Sequence, residues 1–486
     1  MLKFLKQEAN LTKTTNGDIA YKSTLDHVLD LFSNAASMRH KDETTIQNFF
    51  DRAYLQDKEL ALKCLFYIRD VREGLGERRV FRVILNHLLK SKNAQNIEKL
   101  LSFVPEYGRW DDILVAIDTP AQETMSKIIK NRMKKDIKAL REDKLNEISL
   151  MAKWLPKEDT ASTRREAKKL IKLLKLPDKK YRHNLTELRK ALKIVERNLS
   201  QKDYTFKYEN LPSLAMMKYK KAFIRNDETR YKKYLEAVKE NKKKINTKVL
   251  APYQITRVIN NQPLDETEKN YLDTAWNNLP DYAGSSNALA VVDVSGSMNG
   301  EPANVAQALG IYFAEHNKGL FHNHFIIFSK NPRLIEIKGD NIVEKVQYIN
   351  SFNDWSNTDI EKTYMLLLNT ALKHNLPQNE MPEKLYIISD MQFDRSTDNS
   401  DISVFHAMKK KYQENGYKLP DIIFWNVGTR CTTFPVTKND QGVISVSGFN
   451  TNLFKMVEEN NFNYNPYDFM MKTLKSERYK AIKITA

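Results

Sequence analysis

The chain has 486 residues, 41% of them hydrophobic and 29% charged, which predicts a soluble globular protein of about two to four domains. No apolar run approaches the ~20 residues that cross a bilayer, and the first residues lack the apolar core of a signal peptide, so we expect neither. Cys64 and Cys431 are the only two cysteines. Two cysteines so far apart exclude a disulfide scaffold and a cysteine-based zinc site. They favour a location in a reducing cytoplasm, which would be the cytoplasm of the host cell if the protein is encoded by a phage.

The net charge of +17 is concentrated in one part of the chain. Residues 161–250, which we call the basic block, contain 27 basic and 10 acidic side chains, so they alone carry a charge equal to that of the whole protein. Such a block favours a contact surface for a polyanion, because phosphates attract clustered lysine and arginine. The alternative is a set of solvated helix faces on which lysine serves solubility.

Residues up to about 280 are predicted to form helix after helix. Apolar side chains recur with the helical period over Leu25–Phe32 and Leu60–Ile68, and similar segments follow at 77–90, 96–104 and 109–117. We predict further helices over 123–139, 146–155, 162–174, 183–198, 214–224 and 228–242. Short polar breaks between them predict stacked helical hairpins, that is, an all-α, HEAT-like helical-repeat half.

The composition changes at Asn277–Ser286, which is rich in Pro, Gly, Ser and Asn. We therefore predict two domains, 1–283 and 284–486. In the second, strands are predicted within 288–294, 323–329, 333–338, 383–390, 421–428 and 442–448, with 333–338 as the hairpin partner of 323–329. Helices are predicted within 302–316, 359–374, 401–415 and 450–459. Apolar strands that alternate with amphipathic helices predict a mostly parallel, Rossmann-like α/β sheet that binds ligands at the carboxyl ends of its strands.

Oxygen-bearing side chains stand at several of these strand ends. Asp293, Ser295 and Ser297 come directly after the first strand. Thr358 lies in the loop before a helix, and Asp390 directly follows another strand. Two carboxylates and three hydroxyls can surround a divalent cation, Mg²⁺ or another such as Mn²⁺ or Ca²⁺, and an ion with so many neutral ligands would bind an outside anion. The alternative is that the acidic and serine residues only cap the following helices.

The run Asp293-Val294-Ser295-Gly296-Ser297, followed by a distant Thr and Asp, has the Asp-x-Ser-x-Ser pattern, and the second domain resembles a von Willebrand factor A domain. The resemblance implies a metal-ion-dependent adhesion site with the ligands Asp293, Ser295, Ser297, Thr358 and Asp390. Asn357 departs from the family pattern, since a Gly often precedes the Thr.

A helical part fused to such a domain resembles the Ro ribonucleoprotein family, also called TROVE, and more closely a DUF2828-type family of unknown function. The segments that carry the resemblance are Ile68–Phe81, Gly108–Leu114, Ala152–Pro156, Tyr181–Glu196, Leu211–Asp227 and Ala290–Met298. The likeness to Ro implies a ring of helical repeats that binds single-stranded RNA 3′ ends in its hole and small structured RNAs on its basic outer surface.

The candidates for RNA contact are cations of the basic block that lie at helical spacing among aromatic residues. Lysine and arginine neutralise phosphates, and Tyr219 or Tyr231 can stack on unpaired bases. The cations are Arg164, Arg165, Lys168, Lys169, Lys172, Lys179, Lys180, Arg182, Lys218, Lys220, Lys221 and Arg225.

The Gly-Leu-Gly-Glu-Arg-Arg run at 74–79 is not predicted to bind a nucleotide, because no strand precedes it and it lacks the Gly-Lys-Ser/Thr ending of a phosphate loop. Arg69, Arg72, Glu77, Arg78 and Asp111 predict a polar network around this turn. The network either holds the fold together or contacts RNA.

These patterns favour a non-catalytic RNA-binding protein, expected to be monomeric, with an acidic protein as a further partner at the metal. A second interpretation is a cation-dependent protein-interaction module, scaffolding or virion-associated, without specific RNA binding. A third is a nuclease or phosphatase built on Asp293 and Asp390. Against the third, Ser295 stands where the haloacid-dehalogenase pattern has its second Asp, and no Ser/His/Asp or Cys/His grouping is evident.

Overall fold

The computed structural model describes residues 9–91, 97–159, 161–247, 250–282, 287–328, 331–352, 359–394, 403–428, 432–450, 452–459 and 465–483. The strands are β1 Leu11–Lys13, β2 Ile19–Tyr21, β3 Ala288–Asp293, β4 His324–Phe328, β5 Arg333–Glu336, β6 Lys384–Ser389, β7 Asp421–Asn426 and β8 Val443–Ser447. The α-helices are α1 His27–Asn34, α2 Glu43–Gln56, α3 Lys58–Arg69, α4 Arg78–Lys90, α5 Val104–Tyr107, α6 Gln122–Arg141, α7 Met151–Trp154, α8 Ala161–Leu174, α9 Asp178–Ala191, α10 Val195–Ser200, α11 Ser213–Lys239, α12 Pro252–Asn261, α13 Glu266–Asn277, α14 Glu301–His316, α15 Ile342–Asn350, α16 Ile360–His374, α17 Val404–Glu414, α18 Asn452–Glu458 and α19 Pro466–Leu474. None of the helices in these ranges combines the length and the apolar character needed to cross a membrane.

The chain forms two compact units. The sheet unit comprises Met1–Cys64 and Thr247–Arg478, and the helical unit comprises Leu65–Asn246 and Tyr479–Ala486. These units do not coincide with the predicted division at 283/284. The composition changes where helices give way to strands, whereas packing places the described parts of the flanking segments, 9–64, 247 and 250–282, with the sheet.

Hydrogen bonds explain why these flanking segments belong to the sheet unit. Tyr21 in β2 exchanges two backbone hydrogen bonds with Phe434, at 2.8 and 2.9 Å. The Thr256 hydroxyl of α12 donates to the Asn304 carbonyl oxygen of α14 at 3.0 Å.

The short β1–β2 hairpin was not predicted, because two strands of three residues carry too little alternation to be recognised.

In the sheet unit, the described residues form a six-stranded sheet with the order β5-β4-β3-β6-β7-β8. All neighbours are parallel except the β4–β5 hairpin at one edge. This confirms the predicted Rossmann-like, mostly parallel sheet with its antiparallel partner for β4. Of the strands in this sheet, β3 comes first along the chain; it lies at the centre of the sheet and is buried along its whole length, as its apolar composition requires.

Helices cover both faces of the sheet and fix the end of β3. On one face, α16 and α17 pack Tyr364 and Met408 into the core that contains Val291. On the other, α14 approaches β3 so closely that a Cβ on Gly310 would lie 2.5 Å from Val292 Cγ2. Glycine therefore permits this approach, and the loop that follows Asp293 starts from a rigid position.

In the helical unit, most predicted helices are present with altered ends. The helix predicted at 123–139 is α6, and that at 162–174 is α8. The segments predicted at 214–224 and 228–242 are merged in α11, which is kinked at Asp227, where φ is −151° and ψ is 39°. The segment predicted at 183–198 is divided between α9 and α10.

The helical unit contains a fully buried ion pair. The Arg69 guanidinium donates from Nε to Asp112 Oδ2 at 2.8 Å, and these side chains are 2% and 0% exposed. Burial by itself would raise the pKa of Asp112, but Arg69 and Arg82 hold that pKa below its ordinary value. The ionised carboxylate therefore stabilises the fold above the unfolded-state pKa, and this stabilisation is lost as the pH falls through the lowered folded-state value. Gly108 makes room, because a Cβ there would lie 2.6 Å from Asp112 Oδ2.

Replacing Asp112 by Asn should destabilise the protein by about 3–5 kcal/mol at neutral pH, because it leaves the Arg69 guanidinium buried without its counter-charge. Urea denaturation measures the loss. The matched control is Glu106→Gln, since Glu106 and Arg72 are 57% and 54% exposed and stand 3.8 Å apart. This control should cost less than about 1 kcal/mol. Equal losses in the two variants would contradict the central role of the buried pair.

Candidate functional site

The carboxyl edge of the sheet brings together polar residues from neighbouring strands. Asp293 ends β3 and Ser389 ends β6, so their side chains meet: the Ser389 hydroxyl donates to Asp293 Oδ2 at 2.6 Å. The Ser295 backbone N–H donates to the other oxygen, Oδ1, at 2.9 Å. Asp293 is only 2% exposed, so the fold holds a carboxylate in a fixed, nearly dry position.

A second carboxylate lies beside it. Asp390 directly follows β6, is 2% exposed and accepts a hydrogen bond from the Gln392 N–H at 3.1 Å. Burial, together with the negative charge of Asp390, raises the pKa of Asp293 to about 6. The loop after β7 closes over this residue, because a Cβ on Gly428 would lie 2.3 Å from Asp390 Cβ. Two buried like charges at one strand edge favour a cation between them.

Two hydroxyls complete the arrangement that the structure describes. Ser295 Oγ and Ser297 Oγ are 3.0 Å apart in the loop after β3. Four of the five predicted ligands therefore belong to this sheet edge, while Thr358 lies outside the described residues. Among the described residues, no cluster of three or more His, Cys, Asp or Glu side chains could hold a metal. An ion here would depend on two carboxylates with serine hydroxyls, a donor set that suits Mg²⁺.

The capping alternative does not fit the loop after β3. Helix α14 begins after Gly300, not after Asp293 or Ser295. Ser295 precedes a 3-10 turn, Gly296–Met298, but its side chain makes no capping hydrogen bond. By contrast Asp359 does cap a helix, since its Oδ1 accepts the Lys362 N–H at 3.1 Å. The side chains of Asp293 and Ser295 are thus not used as helix caps.

Sequence reasoning missed two residues of this edge and the loop that covers them. Besides Ser389, the side chain of Gln392 accepts a hydrogen bond from the Thr15 N–H at 2.8 Å. The Thr14 hydroxyl donates to the Phe393 carbonyl oxygen at 2.7 Å. The loop of the β1–β2 hairpin therefore packs beside Asp390. No local signal could reveal this contact, because more than 370 residues separate its two sides.

A Ser–His–Asp chain, which was not evident in the sequence, also lies in the sheet unit. Ser403 Oγ is 2.8 Å from His406 Nδ1, and His406 Nε2 is 3.0 Å from Asp440 Oδ1. Burial alone would raise the pKa of Asp440, but the hydrogen bond and charge of His406 hold it below its ordinary value. Ser403 is only 1% exposed, and the adjacent cavity of about 10 Å³ admits about one water. This geometry suits a structural contact and not a nucleophile that attacks a substrate.

The predicted RNA-contact residues lie in the helical unit, mostly on α8 and α9. Helix α8 buries Ala167, Leu170 and Ile171, which leaves its basic side chains outside. Ten of the twelve cations are exposed: Arg164, Arg165, Lys168, Lys172, Lys179, Lys180, Arg182, Lys218, Lys221 and Arg225. The half-buried Lys169 pairs with Asp118. Lys220 is only 4% exposed, which removes it from the contact surface, because its face of α11 packs inward.

The ten exposed cations lack close ion-pair partners. Within the ranges that the structure describes, none of them has a carboxylate partner within 4.0 Å. Exposed lysines elsewhere do pair, for example Lys232 with Glu228 at 2.6 Å. A basic surface whose cations have no carboxylate partners attracts a polyanion more strongly than a surface whose cations form ion pairs.

The motif segments in the helical unit contact one another. Arg69 and Arg78 of the first segment pair with Asp112 and Asp111 of the second. The Arg109 guanidinium lies 4.3 Å from the centre of the Trp154 ring, which links the second segment to the third.

The fourth motif segment, Tyr181–Glu196, contacts the third, Ala152–Pro156. Arg189 donates to the carbonyl oxygens of Ala152 and Leu155, at 2.6 and 2.8 Å. The Tyr181 hydroxyl donates to the Pro156 carbonyl oxygen at 2.8 Å. Of the residues predicted to form a polar network around the turn at 74–79, Arg78 pairs with Asp111 as expected, whereas Arg69 pairs with Asp112 and Arg72 with Glu106.

Two family models match the chain in succession. Residues 14–114 and 160–282 match a domain of unknown function, DUF2828, and residues 287–483 match another domain of unknown function, DUF7788. The first match confirms the DUF2828 part of the resemblance that the motif segments indicated.

A full-length relative places the chain in a family. Uncharacterized protein L728 of Acanthamoeba polyphaga mimivirus is 30% identical over 503 residues, which cover 96% of this chain and 87% of the relative. The chain belongs to the family of this mimivirus protein. The crystal structure of the RO (RSR) protein of Deinococcus radiodurans is also similar, with 13% identity and a TM-score of 0.45 over 90% of this chain and 100% of that one. A similarity at that level does not establish a shared fold, so the link to Ro stays a resemblance in motifs.

Asp293→Asn should leave the free energy of unfolding unchanged, or raise it, when divalent cations are removed with EDTA. The neutral amide removes the repulsion with Asp390 that raises the pKa of Asp293. The pKa of Asp293 is 3.8 in the unfolded chain and about 6 in the folded one, so ionisation of Asp293 destabilises the folded wild type. The free energy of unfolding of the variant should therefore exceed that of the wild type above pH 3.8, and the difference should be complete above about pH 6. Urea denaturation across this range measures it. Asp112→Asn is the control; a loss as large for Asp293→Asn as for that variant would contradict the like-charge interpretation.

Proposed function

We propose that the protein is a non-catalytic RNA-binding protein of the cytoplasm. The observation that carries this proposal is the surface of α8 and α9, where seven exposed cations from Arg164 to Arg182 have no carboxylate partner among the described residues. In this proposal the helical unit acts as a HEAT-like, TROVE-type domain for single-stranded ends or small structured RNAs. Salt-dependent phosphate contacts supply most of the affinity.

The sheet unit is proposed to act as a von Willebrand factor A-like domain with a Mg²⁺ site, or one for Mn²⁺ or Ca²⁺. Ser295 and Ser297 would bind the ion by their hydroxyls, and Asp293 and Asp390 would neutralise it directly or through water. The ion supplies a positive centre for a partner's anionic group, such as an acidic protein side chain. The support is the pair of buried carboxylates, whose repulsion a cation would relieve.

Reversing Lys168, Lys172, Lys179 and Lys180 to Glu should weaken the binding of single-stranded RNA and lower its salt dependence. If each lysine contacts one phosphate, the log–log slope against salt should fall by about 3. Fluorescence anisotropy at several salt concentrations measures both effects.

The control for this experiment carries the same change in charge elsewhere. Lys318, Lys338, Lys373 and Lys475 are exposed lysines of the sheet unit, and their reversal to Glu should leave the slope nearly unchanged. Equal losses in the two variants would show that net charge alone acts. Absence of any RNA binding by the wild type would overturn the proposal and favour the cation-dependent protein-interaction module.

Mg²⁺ should stabilise the wild type, by about 2.7 kcal/mol at one hundred times its Kd, and this gain should be lost in Asp293→Ala. Thermal unfolding with and without Mg²⁺ measures the gain. The control is Asp421→Ala, because Asp421 is a carboxylate at the amino end of β7, on the opposite edge of the sheet. The affinity of Asp293→Ala for RNA should stay near that of the wild type; an equal loss of both would mean that the metal itself binds phosphate.

A further inference from the structure

A cleft of about 640 Å³ lies in the helical unit between α6 and the hairpin formed by α8 and α9. Its floor is aliphatic and consists of Met133 and Ile137 from α6 with Leu174 and Leu176 from the end of α8 and the loop after it. Met133 is only 3% exposed, while Ile137 and Leu176 are half-buried, so the floor is open to a ligand but shielded from bulk water. A cleft of this size and lining is typical of ligand sites.

The rim of the cleft is basic on both sides. Lys130, Lys134 and Arg141 line it from α6, and Lys175 and Lys180 from the opposite wall. None of these five has a carboxylate partner within 4.0 Å among the residues that the structure describes. Lys138 and one carboxylate, Glu142, also line the cleft; Glu142 lies 3.7 Å from Lys138 and pairs with Lys144 as well. An aliphatic floor inside an unneutralised basic rim calls for a ligand with an apolar face and several negative charges.

We propose that this cleft binds an unpaired nucleotide of single-stranded RNA, with the base on the aliphatic floor and the flanking phosphates on the rim. The inference rests on the proposed function and adds a base-binding site on α6, a helix that lies outside the basic block. Lys175 and Lys180 belong both to the rim and to the basic block, so the cleft continues the proposed phosphate-binding surface.

The spacing of the rim suits a strand of phosphates. Lys130, Lys134 and Lys138 are four residues apart on one helix, so successive cations stand about 6 Å apart along its axis, close to the separation of neighbouring phosphates in an extended strand. Asn184 adds a polar group beside the floor. Its side-chain amide is 3.7 Å from Met133 Sδ, a weak acceptor, so its oxygen and second N–H can serve the edge of a base. These features favour a nucleotide over an acidic peptide, whose carboxylates need no base-edge partner.

The test compares the affinity of the protein for a ten-nucleotide oligouridine with its affinity for an RNA of the same length whose central nucleotides lack a base. The wild type should bind the abasic oligomer about tenfold more weakly, because it loses the contact of the base with the floor. Ile137→Asp should abolish this difference between the two oligomers. Leu176→Ser is a second floor variant, in a loop, that should reduce the difference without a change in helix content by circular dichroism.

Rim variants separate base binding from phosphate binding. Lys134→Glu should weaken the binding of both oligomers by a similar factor. Lys135→Glu is the matched control, since Lys135 is exposed on the same helix, one position away, and does not line the cleft; it should have a smaller effect.

Three outcomes are decisive. Equal affinity of the wild type for the two oligomers would overturn the cleft proposal and leave the proposed function standing. No affinity for either would overturn the cleft proposal, and no affinity for a small structured RNA as well would overturn the proposed function. Binding of an acidic amphipathic peptide that is lost in Ile137→Asp, while RNA binding persists in that variant, would overturn the proposal in favour of a protein ligand.

Discussion

The free-energy cost of burying a charge governs both units of this protein. In the helical unit, Arg69 and Asp112 are removed from water together, so each neutralises the other and the pair holds helices in place. In the sheet unit, Asp293 and Asp390 are buried side by side with the same sign, and the pKa of Asp293 rises in consequence. The same cost thus produces a structural link in one unit and a candidate cation site in the other.

The motif segments that give the sequence its family resemblance are largely structural in the helical unit. Arg69, Arg189 and Tyr181 direct their polar groups at buried carboxylates or at backbone carbonyls. Residues that such contacts occupy are poorly suited to recognise a ligand. The proposed contacts with RNA on α8 and α9 therefore fall mostly on lysines and arginines outside the motif segments, which act by their number and exposure.

The candidate metal site shows how far local pattern predicts geometry. Asp293, Ser295 and Ser297 are close in sequence and follow a buried strand, so their convergence could be predicted from spacing alone. Asp390 could be added because parallel strands end at one edge of a sheet. Ser389, Gln392 and the hairpin loop at Thr14 could not, because hydrogen bonds between distant segments carry no periodic signal in the chain. The same reason hid the chain formed by Ser403, His406 and Asp440.

Most helices, the parallel sheet with its hairpin edge, and the concentration of positive charge in residues 161–250 can be predicted from the amino-acid sequence. The hydrophobic period and the charge of a segment depend only on the residues of that segment, so both can be obtained from the sequence. Three features became evident only from the folded chain: which segments pack together, the burial of Lys220, and the aliphatic cleft among the lysines of α6, α8 and α9. Those outcomes depend on which helix faces meet, and a face is defined only when the partner helix is in place.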